Sequence, residues 1–271
     1  MLPELGRIGP IVIRSYTLAL DIAVLAGLGL LAWQGQRRGG RPLDWLDGGL
    51  VALVLGLIGA RAGHVALHWE YFSGHLGETY QVWRGGLSWH GALAGGLIGL
   101  ALYCWALPLS LRAVTDSLAP ALALGAALAY SGCLMSTCGH GREIASLADM
   151  PAPLAMELPD LYGIVAPRMA SPLYGLVLGL ALLGIAVLLG RMIRREGVVF
   201  WIILALLGLG NFAIGFTRGD AVPMLGTLRL DQMLDLLAAS SGIIGAAIAV
   251  LPGSGPRMPL ETETKPIPVK E

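Results

Sequence analysis

Apolar residues in this chain fall into seven long runs: Tyr16 to Trp33, Leu46 to Trp69, Leu87 to Leu107, Ala113 to Cys138, Ser171 to Arg191, Val198 to Phe216 and Leu230 to Leu251. Clusters of Arg, Pro, Gly and acidic residues separate them. As a helix, a run of about 20 apolar residues crosses the roughly 30 Å hydrocarbon of a bilayer with its backbone groups bonded internally. Barrel strands would need a polar-inward alternation, which is absent. The pattern therefore predicts an all-α fold, a polytopic transmembrane helical bundle of about seven helices. Gly91, Gly95 and Gly99 recur at every fourth position, a spacing that lets helix backbones approach closely. The first run is too long for a signal-peptide core and ends in Arg37 and Arg38, so it is expected to be a retained first helix. Residues 1–251 are expected to form a single transmembrane bundle. Residues 252–271, rich in Pro, Glu, Thr and Lys, cannot bury a core and are expected to be a disordered cytoplasmic tail.

Cytoplasmic loops carry the excess of Lys and Arg. Loops on the side of Arg37 and Arg38 hold ten such residues against seven on the other, which predicts an N-terminus outside and a C-terminus inside. The long segments Tyr71 to Gly86 and Gly139 to Ala170 then face the extracytoplasmic side, and a site framed by them opens outward. With 55% of residues hydrophobic and 13% charged, the chain is far more apolar than a soluble domain. Its net charge is zero and its two lysines lie in the tail, which excludes a nucleic-acid footprint.

Ionisable groups inside apolar runs are costly and need a partner or a task. Arg61, His64 and His68 share one face of the second run near its outer end. That stripe can bind an anionic headgroup; alternatively, Arg61 pairs with Asp21 or Asp47, and the histidines lie at the interface. His90 opens the third run within Arg84-Gly-Gly-Leu-Ser-Trp-His-Gly, where a neutral imidazole can accept a proton. Arg218, followed by Gly219 and Asp220, can clamp a phosphate or pair with Asp220. Cys133 and Cys138 lie about 140° apart around a helix. They could share a metal with His140 only if the helix broke at Thr137. Buried, inert thiols are the bland reading, preferred for Cys133; no disulfide framework is foreseen, and no metal or cofactor is called for.

Taken in order, Ile11 to Tyr16, WRGGLSWHG at Trp83 to Gly91, the Gly132 to Gly141 segment, ASPLYG at Ala170 to Gly175 and FTRGD at Phe216 to Asp220 resemble the bacterial prolipoprotein diacylglyceryl transferases. GGLSWHG is the most specific of these, and the resemblance spans nearly the whole chain. It implies a multi-pass enzyme of the bacterial cytoplasmic membrane. Such an enzyme moves the diacylglyceryl group of phosphatidylglycerol onto the lipobox cysteine thiol of a secreted prolipoprotein, forming a thioether and releasing glycerol phosphate. The membrane phospholipid and the prolipoprotein are thus the implied partners.

The resemblance also implies roles. Tyr16 and His90 match positions important for activity, with His90 handling the proton. Arg61 and Arg218 match arginines assigned to the phosphate, and Gly132 and Gly141 match the glycines framing the family signature. This chain departs from that pattern at several charged positions. Tyr130 and Asn211 stand at arginines, Gly175 and Gly215 at glutamates, Cys133 at an asparagine and Cys138 at a glutamate. Tyr130 and Asn211 are carried as substrate-binding candidates. These departures motivate an alternative, a divergent relative that binds lipid or a secreted or membrane partner without turnover. Two further readings are a thiol nucleophile or redox thiol at Cys133 or Cys138, and a small-solute transporter, which would show internal repeats that are not seen.

Overall fold

The structure, a computed structural model, describes residues 4–251 apart from 10, 108, 137 and 161. The expected tail, 252–271, lies outside the described residues. The chain enters through an antiparallel hairpin, β1 (Glu4–Ile8) and β2 (Ile11–Arg14), which runs directly into α1 (Ser15–Arg37). Helix α2 (Pro42–Leu67) and the single turn α3 (Trp69–Phe72) follow. The remaining helices are α4 (Trp89–Ala106), α5 (Leu111–Ser136), α6 (Ser171–Met192), α7 (Val198–Gly215) and α8 (Leu230–Val250). Between α5 and α6 lies a second hairpin, β3 (Ala155–Pro159) with β4 (Val165–Met169). A third, β5 (Met224–Leu225) with β6 (Leu228–Arg229), precedes α8.

All seven runs are helices with ends close to those expected. Six of them are long and apolar enough to cross a membrane. The third run, α4, is the exception to the expected seven: it has 18 residues and carries His90, Tyr103 and two tryptophans. The three hairpins were not foreseen, because strands of two to five residues are too short to leave a period in the sequence.

Local chemistry sets the helix ends. Pro42 opens α2 at a position whose N–H would have no helical partner. The Ser88 hydroxyl caps α4 by accepting from the Gly91 amide. Helix α7 starts after Gly197, at φ +87°, and its first amides are held from another helix. The Asp116 carboxylate of α5 accepts from Gly197 N at 2.7 Å and Phe200 N at 2.9 Å. A half-buried carboxylate thus meets the positive end of a helix, which satisfies both.

Close packing holds the helices together where lipid supplies no hydrophobic drive. Helices α2 and α4 cross on glycines: a Cβ on Gly91 would lie 2.2 Å from the Gly59 carbonyl oxygen, and one on Gly95 would lie 2.2 Å from that of Leu55. The buried centre lies among α5, α6 and α7, where Ala123, Leu182, Ala186, Ile203 and Leu204 interlock. Leu25, Ile58, Ile98, Val177, Leu237 and Ile243 point outward and are exposed. Large apolar side chains exposed around a closely packed interior are the arrangement of an integral membrane protein, with lipid as the outer solvent.

Candidate active site

Successive long helices run in opposite directions, so the start of α1, the end of α2, the start of α4, the end of α5, the start of α6, the end of α7 and the start of α8 meet at one end of the bundle. The candidate site residues Tyr16, Arg61, His90, Tyr130, Gly132, Gly141, Asn211 and Arg218 lie toward that end.

His90, in the first turn of α4, reaches across to α8. Its Nε2 lies 2.8 Å from Asp235 Oδ1, with side-chain exposures of 12% and 6%, so this contact is shielded from solvent. The Trp89 ring stands 4.1 Å from the imidazole, centroid to centroid. Asp235 escaped the sequence reading because its partner is 145 residues away. A signal was nevertheless present: a carboxylate five residues inside the run beginning at Leu230.

Four residues before Asp235, Asp231 belongs to a cluster of two arginines and two aspartates. Arg218 makes a two-point contact with Asp220, Nε to Oδ1 at 2.8 Å and Nη2 to Oδ2 at 2.5 Å, and its Nη1 is 3.6 Å from Asp231. Arg229 donates to Asp231 at 3.1 and 3.2 Å and to the carbonyl and carboxylate of Asp220. Burial alone would raise the Asp220 carboxyl, but the hydrogen bond and charge of Arg218, with Arg229, hold it below the usual carboxylate range. Burial alone would likewise lower the Arg218 guanidinium, yet the bond to Asp220 raises it further above its ordinary value. Of the two sequence readings of Arg218, the Asp220 pairing is the one formed here. Arg229 was not singled out from the sequence.

Tyr130 and Asn211, the two candidates at departures from the resembled signature, touch each other: the Tyr130 hydroxyl donates to Asn211 Oδ1 at 2.9 Å. Gly132, two residues beyond Tyr130 on α5, packs on α1, and a Cβ there would lie 3.0 Å from both Cα and Cδ2 of Tyr16. That contact seats Tyr16 at the start of α1, with part of its ring exposed. Gly141 pairs with Arg218 as an antiparallel bridge, and a Cβ on it would lie 2.0 Å from the Met169 carbonyl oxygen. Around it, Gly219 N donates to the His140 carbonyl at 2.9 Å and Arg142 N to that of Thr217 at 2.8 Å. The segment after α5 therefore supports the backbone that presents Arg218.

Arg61, the other arginine that the resemblance assigns to the phosphate, is 7% exposed. It donates to four backbone carbonyls of the outer loop: Glu78 at 2.6 Å, Thr79 at 2.8 Å, Gly85 at 2.7 Å and Gly86 at 3.1 Å. Neither Asp21 nor Asp47 is among its hydrogen-bond partners. The arginine folds the segment between α3 and α4, which leads into His90. The rings of His64 and His68 lie 4.3 Å apart, tilted by 35°. Among the described residues, no group of His, Cys, Asp and Glu is arranged to hold a metal ion.

One expectation is overturned. Cys133 and Cys138 are not inert thiols but are joined in a disulfide, with Cα atoms 4.6 Å apart. The helical angle of about 140° does not apply, because α5 ends at Ser136 and the chain turns back. Cys104 is free and buried.

Seven helices gathering polar side chains at one end define a polytopic membrane protein with a single-ended site. The model of the prolipoprotein diacylglyceryl transferase family matches residues 3–248, and the chain belongs to that family. It is 30% identical over 248 residues to the phosphatidylglycerol–prolipoprotein diacylglyceryl transferase of Acaryochloris marina, covering 90% of this chain and 89% of that one. To the proteins of that name from Geobacillus kaustophilus and Synechococcus elongatus it is 31% identical, over 85% and 90% of this chain and 86% of each relative.

Proposed function

We propose that this protein transfers the diacylglyceryl group of phosphatidylglycerol to the lipobox cysteine thiol of a secreted prolipoprotein, in the bacterial cytoplasmic membrane. The observation that carries this reading is His90. It stands in GGLSWHG, the most specific string of the resemblance, and is held at 2.8 Å by a buried carboxylate where the polar ends of all seven helices meet. A thiol must lose its proton to attack carbon, and an imidazole is suited to take it near neutral pH. The sulfur then bonds to the glycerol carbon as the carbon–oxygen bond to phosphate breaks. Arg218, beside this site, is the cation assigned to the departing phosphate. Tyr16, at the same end, is partly exposed.

The site is assigned to the extracytoplasmic face, with the N-terminus outside. Besides the arginine distribution, the disulfide at the end of α5 supports this, since disulfides persist in the oxidising compartment outside the cytoplasm.

One observation favours the alternative, a relative that binds lipid without turnover: the carboxylate-binding edge of Arg218 is already occupied by Asp220. Complementation separates the two. The chain is expressed in a bacterium depleted of its own diacylglyceryl transferase, and lipidation of a reporter lipoprotein is followed, with His90→Ala beside it. Lipidation by the wild type and not by the variant is expected. A folded, membrane-inserted wild type that leaves the reporter unmodified sinks the transferase reading.

A further inference from the structure

A carboxylate inside an apolar helix is costly unless something holds it. On α8, Asp231 faces the arginines Arg218 and Arg229, whereas Asp235, one turn deeper and 4% exposed, bonds to His90. The backbone fixes Asp235 in place: a Cβ on Gly208 of α7 would lie 2.6 Å from its carbonyl oxygen, so α7 and α8 touch at this level. The histidine is fixed as well, by the Ser88 cap of α4 and the Trp89 ring. The other ionisable groups near the pair are Asp231 on α8, Arg218 after α7 and Tyr130 on α5. Asp231 is bound to arginine, and the Tyr130 hydroxyl donates to Asn211. Asp235 is therefore the carboxylate that faces the imidazole.

We propose that Asp235 is the positioning residue of the transfer site: it accepts the Nε2–H of neutral His90 and so leaves Nδ1 as the atom that receives the substrate proton. A neutral imidazole carries one N–H and one lone pair, and a bond at one nitrogen decides which is which. The inference rests on the transferase reading. In the step it describes, the thiol proton passes to Nδ1 and the sulfur forms its bond to the glycerol carbon. The carbon–oxygen bond breaks with its electron pair on the departing glycerol phosphate, and the proton passes from Nδ1 to that phosphate. Atoms and charge balance without another reactant. Asp235 stabilises the transient imidazolium and touches neither substrate.

The test uses the full chain in phosphatidylglycerol vesicles with a lipobox peptide, comparing wild type, Asp235→Asn and Asp235→Glu. An asparagine amide can donate to Nε2 and stabilise the wrong tautomer. Asp235→Asn is expected to lower kcat by about 10²-fold or more, with KM for the peptide unchanged and with partial recovery in Asp235→Glu. Nitrogen-15 histidine spectra of the same samples should show the Nε2–H form of His90 in wild type and its loss in Asp235→Asn, whether or not stability changes. An active wild type whose Asp235→Asn variant keeps kcat, or keeps that Nε2–H signal, overturns this inference alone. A wild type that transfers nothing overturns the transferase reading and this inference with it.

Discussion

The ring of Tyr130 occupies the space that a side chain at Gly175 would need. A Cβ on Gly175 would lie 2.3 Å from the ring, while the Tyr130 hydroxyl bonds Asn211 at 2.9 Å. All three positions carry charge in the signature that this chain resembles, two arginines and one glutamate. A fourth such position, Gly215, lies under Gln232, whose Cγ would be 2.5 Å from a Cβ there. The departures thus touch one another or are filled by a neighbour. At these four positions, charges of both signs give way to a neutral hydrogen bond and close packing, so none of the four leaves a buried ion to be paired.

Gly175→Ala is accordingly expected to destabilise the bundle by about 1–3 kcal/mol, the usual cost of overpacking. In a Tyr130→Ala background the same change should cost little, because the colliding ring is gone. Thermal unfolding in detergent micelles measures both. Equal losses in the two backgrounds would show that ring and glycine do not share one volume.

The α2–α4 seam gives a second expectation with an internal control. Gly95→Ala drives a methyl to 2.2 Å from the Leu55 carbonyl oxygen, whereas at Gly96 the nearest atom would be 3.5 Å away. Gly95→Ala should therefore lower the melting temperature clearly, by about 1–3 kcal/mol in stability, and Gly96→Ala should not. Indistinguishable variants would mean that the helices cross elsewhere.

The fold was legible because lipid as solvent imposes long apolar runs, and these set both the helices and the end at which His90, Tyr130 and Arg218 converge. Contacts set by tertiary geometry were not legible. Asp235 could be seen as an oddity in an apolar run, but its partner could not be read from spacing. Arg61 was recognised as needing a partner. That partner proved to be a ring of loop carbonyls, groups present in every residue and so invisible to composition. The thiols of Cys133 and Cys138 were misjudged because helical geometry was extended beyond Ser136, where α5 stops.

That disulfide gives a third expectation. It closes a short loop and ties the segment containing His140 and Gly141 to α5, and that segment supports Arg218 through Gly219 N and Thr217 O. Cys133→Ser with Cys138→Ser should lower stability by about 2 kcal/mol on the loop-entropy model and speed proteolysis between Gly139 and Ala170. Mass spectrometry after alkylation provides the direct check. The wild type should take label at Cys133 and Cys138 only after reduction; labelling of both without reductant would refute the bond.

The Asp220 pair gives an expectation in pH. Its folded carboxyl is held below the ordinary value near 3.9, chiefly by Arg218 acting against the effect of burial. A group depressed in this way contributes fully above its unfolded value, from about pH 5 upward, and its contribution disappears as pH falls through the folded value. Between pH 5 and 8 the pair should therefore add a constant term to stability. Asp220→Asn should remove about 1–3 kcal/mol at pH 7, since Arg218 and Arg229 both lose an ionised acceptor but keep Asp231. The variant should also melt with a shallower acid limb below about pH 4, because it no longer has this carboxylate to protonate. Melting curves of both proteins in micelles from acid to neutral pH carry the test. If the two curves run parallel through the acid range, protonation of Asp220 is not what weakens the folded state there, and the Arg218–Asp220 contact is not a stabilising ion pair.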